Sequence, residues 1–231
     1  MKSEELQENI LSTYFTLRGG IVILSVALPC VLAVGGEWRG VGLLDSLSAY
    51  YGADDGLLRN WFVGTLWTVG TFLFLYRGFT VVENVVLNFA GGFAVAVAMI
   101  PCNCWSGAIG PVSRLHSFCA VSFFLSTAFV CLSCAGETLS LLPDEATRTK
   151  FKRRYGTIGV LLVLTPLLAV SASYLLDEHA NWRFFIEAFG VWVFAGYWAV
   201  KSCEFRITSA EELAARGKLK KVVGKGLIRV D

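Results

Sequence analysis

VVENVVLNFAGGFAVAVAMIPC, residues 81–102, is the stretch whose reading decides the fold. A helix rises about 1.5 Å per residue, so roughly 20 apolar residues cross the hydrocarbon core of a bilayer. This stretch is long enough and apolar enough, yet Glu83, Asn84 and Asn88 lie near its start. Asn84, Asn88 and Gly91 recur at helical spacing, with Gly92 and Ala96 near the same stripe. Amides and glycines have little reason to face acyl chains, whereas they suit a helix packed against other helices. The expectation is an all-α polytopic membrane bundle with this helix at its centre.

The rest of the chain has the same character. Of its 231 residues, 55% are hydrophobic and only 16% charged, and the mean hydropathy is +0.60. Soluble domains carry about 25% charged residues. The apolar residues come in long blocks rather than in the alternating pattern of a membrane barrel, so helices are favoured. The polar, acidic start MKSEELQENI does not read as a signal peptide, and the first span is expected to be retained. The seven cysteines are no disulfide framework. The spacing Cys102-Asn-Cys104 is too short for a metal motif, so a structural thiol role is expected, with a disulfide as the alternative.

Six spans follow in order. After a polar lead over residues 1–12, they cover about 13–34, 60–76, 81–102, 115–134, 155–176 and 184–202. Arg18 near the start of the first is expected to snorkel to the head groups. Loop 35–58 is apolar enough to pack on the bundle mouth, with a short interfacial helix over 43–50 and a Gly-Ala-Asp-Asp-Gly turn. Thr165-Pro166 marks a kink or a simple packing site. Residues 1–205 form the transmembrane domain and 206–231 a basic tail, in which Ser209-Ala-Glu-Glu212 reads as a capping box opening a helix to Ala215, stopped by Gly217.

Charge fixes the orientation. One side holds sixteen Lys and Arg: Lys2, Arg18, Arg77, five within 148–154 and eight from Lys201 onward. The other side holds four: Arg39, Arg59, Arg114 and Arg183. The positive-inside rule puts the sixteen, and both termini, in the cytoplasm. Trp38, Trp61, Trp105 and Trp182 fall at the opposite edge, as an interfacial belt would. The basic patch of the fourth-to-fifth-span loop and the tail faces anionic lipid, and no stacking motif accompanies it, so nucleic acid is not expected as a partner.

Two polar groupings are the candidate binding residues. Glu83, Asn84 and Asn88 line the cytoplasmic entry of the third span; the bland alternative is an interfacial Glu near Arg77 with two amides as interhelical glue. Arg59, Asn60, His116 and Glu187 map to the outer edge, with Ser48, Tyr50 and Tyr51 on the same side. Glu187 lies four residues after Arg183, so an ordinary ion pair competes with a cavity role. His116 is an acid–base candidate by its near-neutral reference pKa, or a helix-end histidine on a head group. A carboxylate–His metal site of Glu187, His116 and Asp45 has weak spacing support. The sequence contains no GxSxG, P-loop, HExxH or dinucleotide motif, and no cofactor or metal is expected.

The segments SLSAYYG (46–52), RNWFVGTLWTVGTFLFLYRG (59–78), ENVVLNFAGGFAVAVAMIPC (83–102) and IEAFGVWVFAGYWAVK (186–201) resemble an uncharacterised bacterial family of multi-span membrane proteins. The resemblance implies a bacterial cell-membrane location and no particular activity. More remotely, the chain is similar to the superfamily of alkaline ceramidases and progestin-receptor-like proteins, which hold zinc with several histidines. This sequence has two histidines, so neither that zinc site nor its hydrolysis is carried over. The functional expectation is a polar pocket inside the bundle that binds or transports a small or lipidic ligand. An intramembrane lipid hydrolase and a structural protein that forms homo-oligomers through small-residue faces are the alternatives.

Overall fold

The computed structural model describes residues 3–102, 110–175, 181–222 and 226–230; Trp105, Cys104 and His179 lie outside them. Six long helices follow one another: α1 (Ser3–Trp38), α2 (Leu57–Leu75), α3 (Val81–Met99), α4 (Pro111–Phe129), α5 (Glu145–Leu175) and α6 (Trp182–Thr208). A short α7 (Ala210–Ala215) and a hairpin of β1 (Leu219–Val222) and β2 (Gly226–Arg229) complete the chain. The strands are antiparallel, with Lys220 opposite Ile228.

Each long helix packs on its neighbours in sequence, and α6 closes back onto α1, so the bundle is a ring. Helices adjacent in sequence pack as neighbours with no crossing connection, which produces this order. The middle of the ring is filled by rings of another kind. Tyr76 stacks edge-on against Trp198 at 4.9 Å, Trp198 against Tyr197 at 5.3 Å, and Phe123 meets Phe194 at 5.0 Å. Each such aromatic pair adds about 0.5–1.5 kcal/mol beyond the area it buries.

The filling helix is α6. Half of its apolar stretch (50%) is buried, against 33% in α3. This corrects the expectation of a central third span: α3 is an ordinary member of the ring, between α2 and α4. Its inward face is nonetheless the small and polar one. Glu83, Leu87, Ala90, Gly91, Ala94 and Ala98 are buried, at three- and four-residue steps. Val81, Val82, Val85 and Phe89 face outward instead. Large apolar side chains outside and small or polar ones inside is the pattern of a helix whose solvent is lipid. Gly92 is exposed and does not belong to the inward stripe. Gly91 does, because there α3 crosses α2 backbone to backbone: a Cβ on Gly91 would stand 2.6 Å from the Gly70 carbonyl oxygen, and one on Gly70 2.8 Å from that of Gly91.

Five helical stretches are long and apolar enough to cross a membrane: 9–38, 81–99, 111–141, 145–172 and 182–208. The chain is therefore a helical membrane-protein bundle in composition and architecture. The 19-residue α2 is not among the five, being diluted by Arg59, Asn60, Thr65, Thr68 and Thr71. It is as long as α3 and lies between α1 and α3.

Other sequence expectations change in detail. α1 begins at Ser3, so most of the polar lead is helical. The mouth loop folds into a 3-10 turn over Ser48–Gly52 rather than a helix over 43–50. α4 runs on through a π turn (Val130–Cys134) and a 3-10 turn (Ala135–Leu141). α5 continues through Pro166, and the Thr165 hydroxyl donates to the Leu161 carbonyl at 2.6 Å. Cys102 is disulfide-bonded rather than a free thiol, whereas Cys30, Cys119, Cys131, Cys134 and Cys203 are free.

Candidate functional site

Most of the buried charge lies in one layer at the end of the ring that carries α7 and the hairpin. About 30 Å of helix separates Arg18 from the outer-edge Trp38, and about 28 Å separates Lys201 from Trp182. Both distances approximate the thickness of the hydrocarbon core. Tyr76 just beyond α2, Glu83 in the first turn of α3, and Tyr155 in α5 share that layer with them.

Two ion pairs organise it. The first joins Lys201 and Glu204, one turn apart on α6 and both essentially inaccessible (2% and 0% exposed side chains). The Lys201 ammonium donates to Glu204 Oε2 at 3.2 Å, to Thr138 Oγ1 at 3.0 Å and to the Ala135 carbonyl at 3.4 Å. Glu204 also accepts from the hydroxyls of Thr138 and Tyr155. The Phe205 ring lies 4.5 Å from the ammonium. The 3-10 turn that ends α4 therefore matters: it brings Ala135 and Thr138 to Lys201.

The second pair joins Arg18 of α1 to Glu211 of α7 through two parallel N–H donations, one at 2.9 Å. Arg18 Nε donates to Ser202 Oγ at 3.3 Å, and the rings of Phe15 and Phe205 each lie 4.9 Å from the guanidinium. Arg18 is fully buried, which corrects the snorkelling expectation. The tail is not free either. α7 sits under α1, and β2 packs on the 3-10 turn, with the Ser140 hydroxyl donating to the Leu227 carbonyl at 2.5 Å. Ser209 has a left-handed φ of 48° and makes no capping bond; Thr208 Oγ1 takes the Ala210 N–H instead, at 3.3 Å.

Glu83 is the third carboxyl of the layer. Thr80 Oγ1 accepts from the Glu83 N–H at 3.0 Å, and Glu83 Oε2 accepts from the Phe79 N–H at 2.9 Å. Together they cap α3 in the manner of a capping box, readable as Thr80-Val-Val-Glu83. Arg77 is exposed, and no ion pair joins it to Glu83 among the described residues. Glu83 Oε1 has no hydrogen-bond partner although the residue is 2% exposed; Asn88 Oδ1 and Trp198 Nε1 are likewise buried and unpartnered, and the buried Tyr76 hydroxyl faces the Arg18 guanidinium. Asn84 Oδ1 is occupied by the Gly78 N–H at 2.6 Å. The buried cations of this layer, Arg18 and Lys201, are already paired, with Glu211 and Glu204, and no ion pair reaches Glu83 among the described residues.

At the opposite end of the ring the candidate residues have separate partners. Glu187 Oε2 accepts the Leu47 N–H at 2.8 Å, so it fastens the mouth loop to α6; Arg183 reaches Asp45 at 3.6 Å rather than Glu187. Ser48 shares a hydrogen bond with Ser46 at 3.3 Å. The Tyr50 hydroxyl donates to the Gly42 carbonyl and accepts from the Leu44 N–H, each at 3.2 Å, and burial pushes its pKa up. Gly36 lies beneath the Tyr50 ring, with no room for a Cβ. Arg59 and Asn60 are exposed: the guanidinium of one lies 5.8 Å from the Tyr51 ring, and the other lines a surface groove of about 360 Å³ with Leu24 and Thr68. His116 is buried with Nδ1 2.7 Å from the Ile100 carbonyl, which ties α4 to the end of α3. The contacts of these residues bring Ser48, Glu187 and the loop together, but they do not bring His116 or Asn60 to that group.

The sequence reading missed Lys201, Glu204, Tyr155, Thr138 and Glu211. Lys201 and Glu204 read as the polar end of a span, and three- or four-residue spacing alone does not tell an inward pair from a solvated one. Among the described residues, no group of three or more His, Cys, Asp and Glu could hold a metal ion. No protein-family model matches the chain, and neither a curated protein nor a solved structure does.

Proposed function

We propose that this chain is a six-span integral protein of a bacterial inner membrane, with both termini in the cytoplasm, that binds and transports a small ligand through the ring. α2 is the sixth span. Its length and its place between α1 and α3 support that, as does the even number of crossings that keeps all sixteen cytoplasmic Lys and Arg on one side.

Glu83 is the group that receives the ligand. The observation that carries this is its unpartnered Oε1, buried in a layer whose two buried cations, Arg18 and Lys201, are already paired. A buried acceptor costs stability unless something donates to it, and an intramembrane carboxyl is a functional group by default. The ligand is accordingly a small cation, or the cationic part of a larger molecule, with Tyr76 and Asn88 as its other contacts. Glu187 and the loop around Ser48 form the outer gate. The middle of the ring is closed by Phe123 and Phe194, so passage requires those rings to move.

The test follows thermal unfolding of the protein in phosphatidylcholine nanodiscs, with sodium, potassium or choline chloride, from acid to neutral pH. A ligand of the folded state at 100 times its Kd stabilises by about 2.7 kcal/mol. The wild type is expected to respond to one of these cations or to protons, and Glu83→Gln to lose that response. An identical response in the two proteins would remove Glu83 from the site.

A further inference from the structure

The cytoplasmic third of α5 carries a groove of about 550 Å³ whose lining residues all belong to that helix. Thr149, Lys150, Arg153, Arg154 and Thr157 recur at three- and four-residue steps on its exposed face, and Ile158 closes the groove below. On the opposite face Phe151 and Tyr155 are buried, and Tyr155 reaches the Glu204 carboxyl. That contact fixes the depth. Tyr155 lies in the layer of buried charge at the inner hydrocarbon boundary, so Lys150 and Arg153 stand at head-group height and Ile158 begins the acyl region.

From this placement we infer that the groove is a binding site for one anionic glycerophospholipid of the cytoplasmic leaflet. Its phosphate lies between Lys150 and Arg153 with the Thr149 hydroxyl as a donor, its glycerol esters reach Thr157 one turn below Arg153, and its first acyl carbons lie on Ile158. The occupant is argued from complementarity on both counts. Among the described residues, Lys150, Arg153 and Arg154 have no acidic partner, although Arg148 beside them pairs with Glu145 at 3.0 Å. Three unneutralised cations directly above an apolar wall match an anionic head group joined to hydrocarbon. A soluble anion would use only the upper half. The inference rests on the membrane placement of α5 and is independent of the role given to Glu83.

The test is native mass spectrometry of the detergent-purified full chain, titrated with phosphatidylglycerol, phosphatidylcholine or inorganic phosphate. Each basic residue near an anionic surface contributes about 1 kcal/mol, so Lys150→Gln with Arg153→Gln is expected to weaken phosphatidylglycerol binding about 30-fold. Lys220→Gln with Arg229→Gln removes the same charge from the hairpin and is expected to leave that affinity within about twofold, the residue of long-range attraction. Thr157→Trp, which fills the groove without changing charge, is expected to lower it as well. Equal losses in both charge-removing pairs would mean diffuse attraction and overturn the site. Phosphatidylcholine or free phosphate binding as well as phosphatidylglycerol would overturn the occupant.

Discussion

Replacing Glu204 by Leu strands a lysine. In the native bundle the Lys201 ammonium has three acceptors, at 3.0, 3.2 and 3.4 Å, and the carboxylate supplies the only negative charge among them. Removing one partner of a buried pair costs about 3–5 kcal/mol, because the remaining charge is left uncompensated. The hydroxyls of Thr138 and Tyr155 lose their acceptor too, which adds about 0.6 kcal/mol each on the scale of hydrogen bonds inside membranes. The charge is the dominant effect by several-fold. The double replacement Lys201→Met with Glu204→Leu removes the charge altogether and is expected to return to within about 2 kcal/mol of the wild type. The assay is a double-mutant cycle of equilibrium unfolding in bicelles, whose coupling term isolates the pair. Lys201→Met alone strands the carboxylate at a similar cost of about 3–5 kcal/mol, so the coupling is expected at about 4 kcal/mol or more. A coupling below about 0.5 kcal/mol would show the two groups solvated by head groups or water, as exposed pairs are, and the buried layer would not exist as described.

Three further outcomes follow from the geometry. Gly91→Val, which drives a side chain into the α2 backbone at Gly70, is expected to cost about 1–3 kcal/mol or more, and Gly92→Val next to it very little; bicelle unfolding of the two compares them directly. Arg18→Met is expected to loosen α7, read as faster tryptic cleavage after Arg216 at its end with the six long helices intact. The Asp144 carboxyl accepts from the Thr147 N–H and hydroxyl at 2.7 and 2.8 Å, which holds its pKa below the ordinary value. A depressed carboxyl stabilises above the ordinary carboxylate range and loses that contribution as pH falls below it. The protection of the Thr147 amide, its exchange rate relative to the intrinsic rate at the same pH, is therefore expected to fall on acidification and to be low at every pH in Asp144→Ala.

The long helices were legible because each needs only length and apolar content, both local properties. The inward face of α3 was legible only in part: Glu83 and Gly91, poor lipid-facing residues wherever their partners lie, are buried, whereas Asn84 and Asn88 stand half-buried at its edge. What those residues touch was not. Glu187 and Arg183 looked like a pair four residues apart, yet each reaches the mouth loop, and no local rule ranks a loop 140 residues away above a neighbour on the same helix. Arg18 read as a snorkelling arginine because its partner, Glu211, sits in what looked like a free tail. Thr80-Val-Val-Glu83 was the opposite case, a local signal present in the sequence and passed over. The centrality of α6 over α3 is a property of the closed ring and of where its aromatics point, which hydropathy does not encode.

The clasp between Arg18 and Glu211 spans 193 positions of the chain, and that gap has a consequence for synthesis. A ribosome delivers the first helix to the translocon long before it makes the acid that will neutralise it. Until then the guanidinium has to wait at the head-group boundary, and the inner end of α1 cannot settle between its neighbours. Assembly of this bundle therefore finishes at its two extremities at once, and a nascent chain shortened by its last two dozen residues would insert its helices yet leave the ring unlatched.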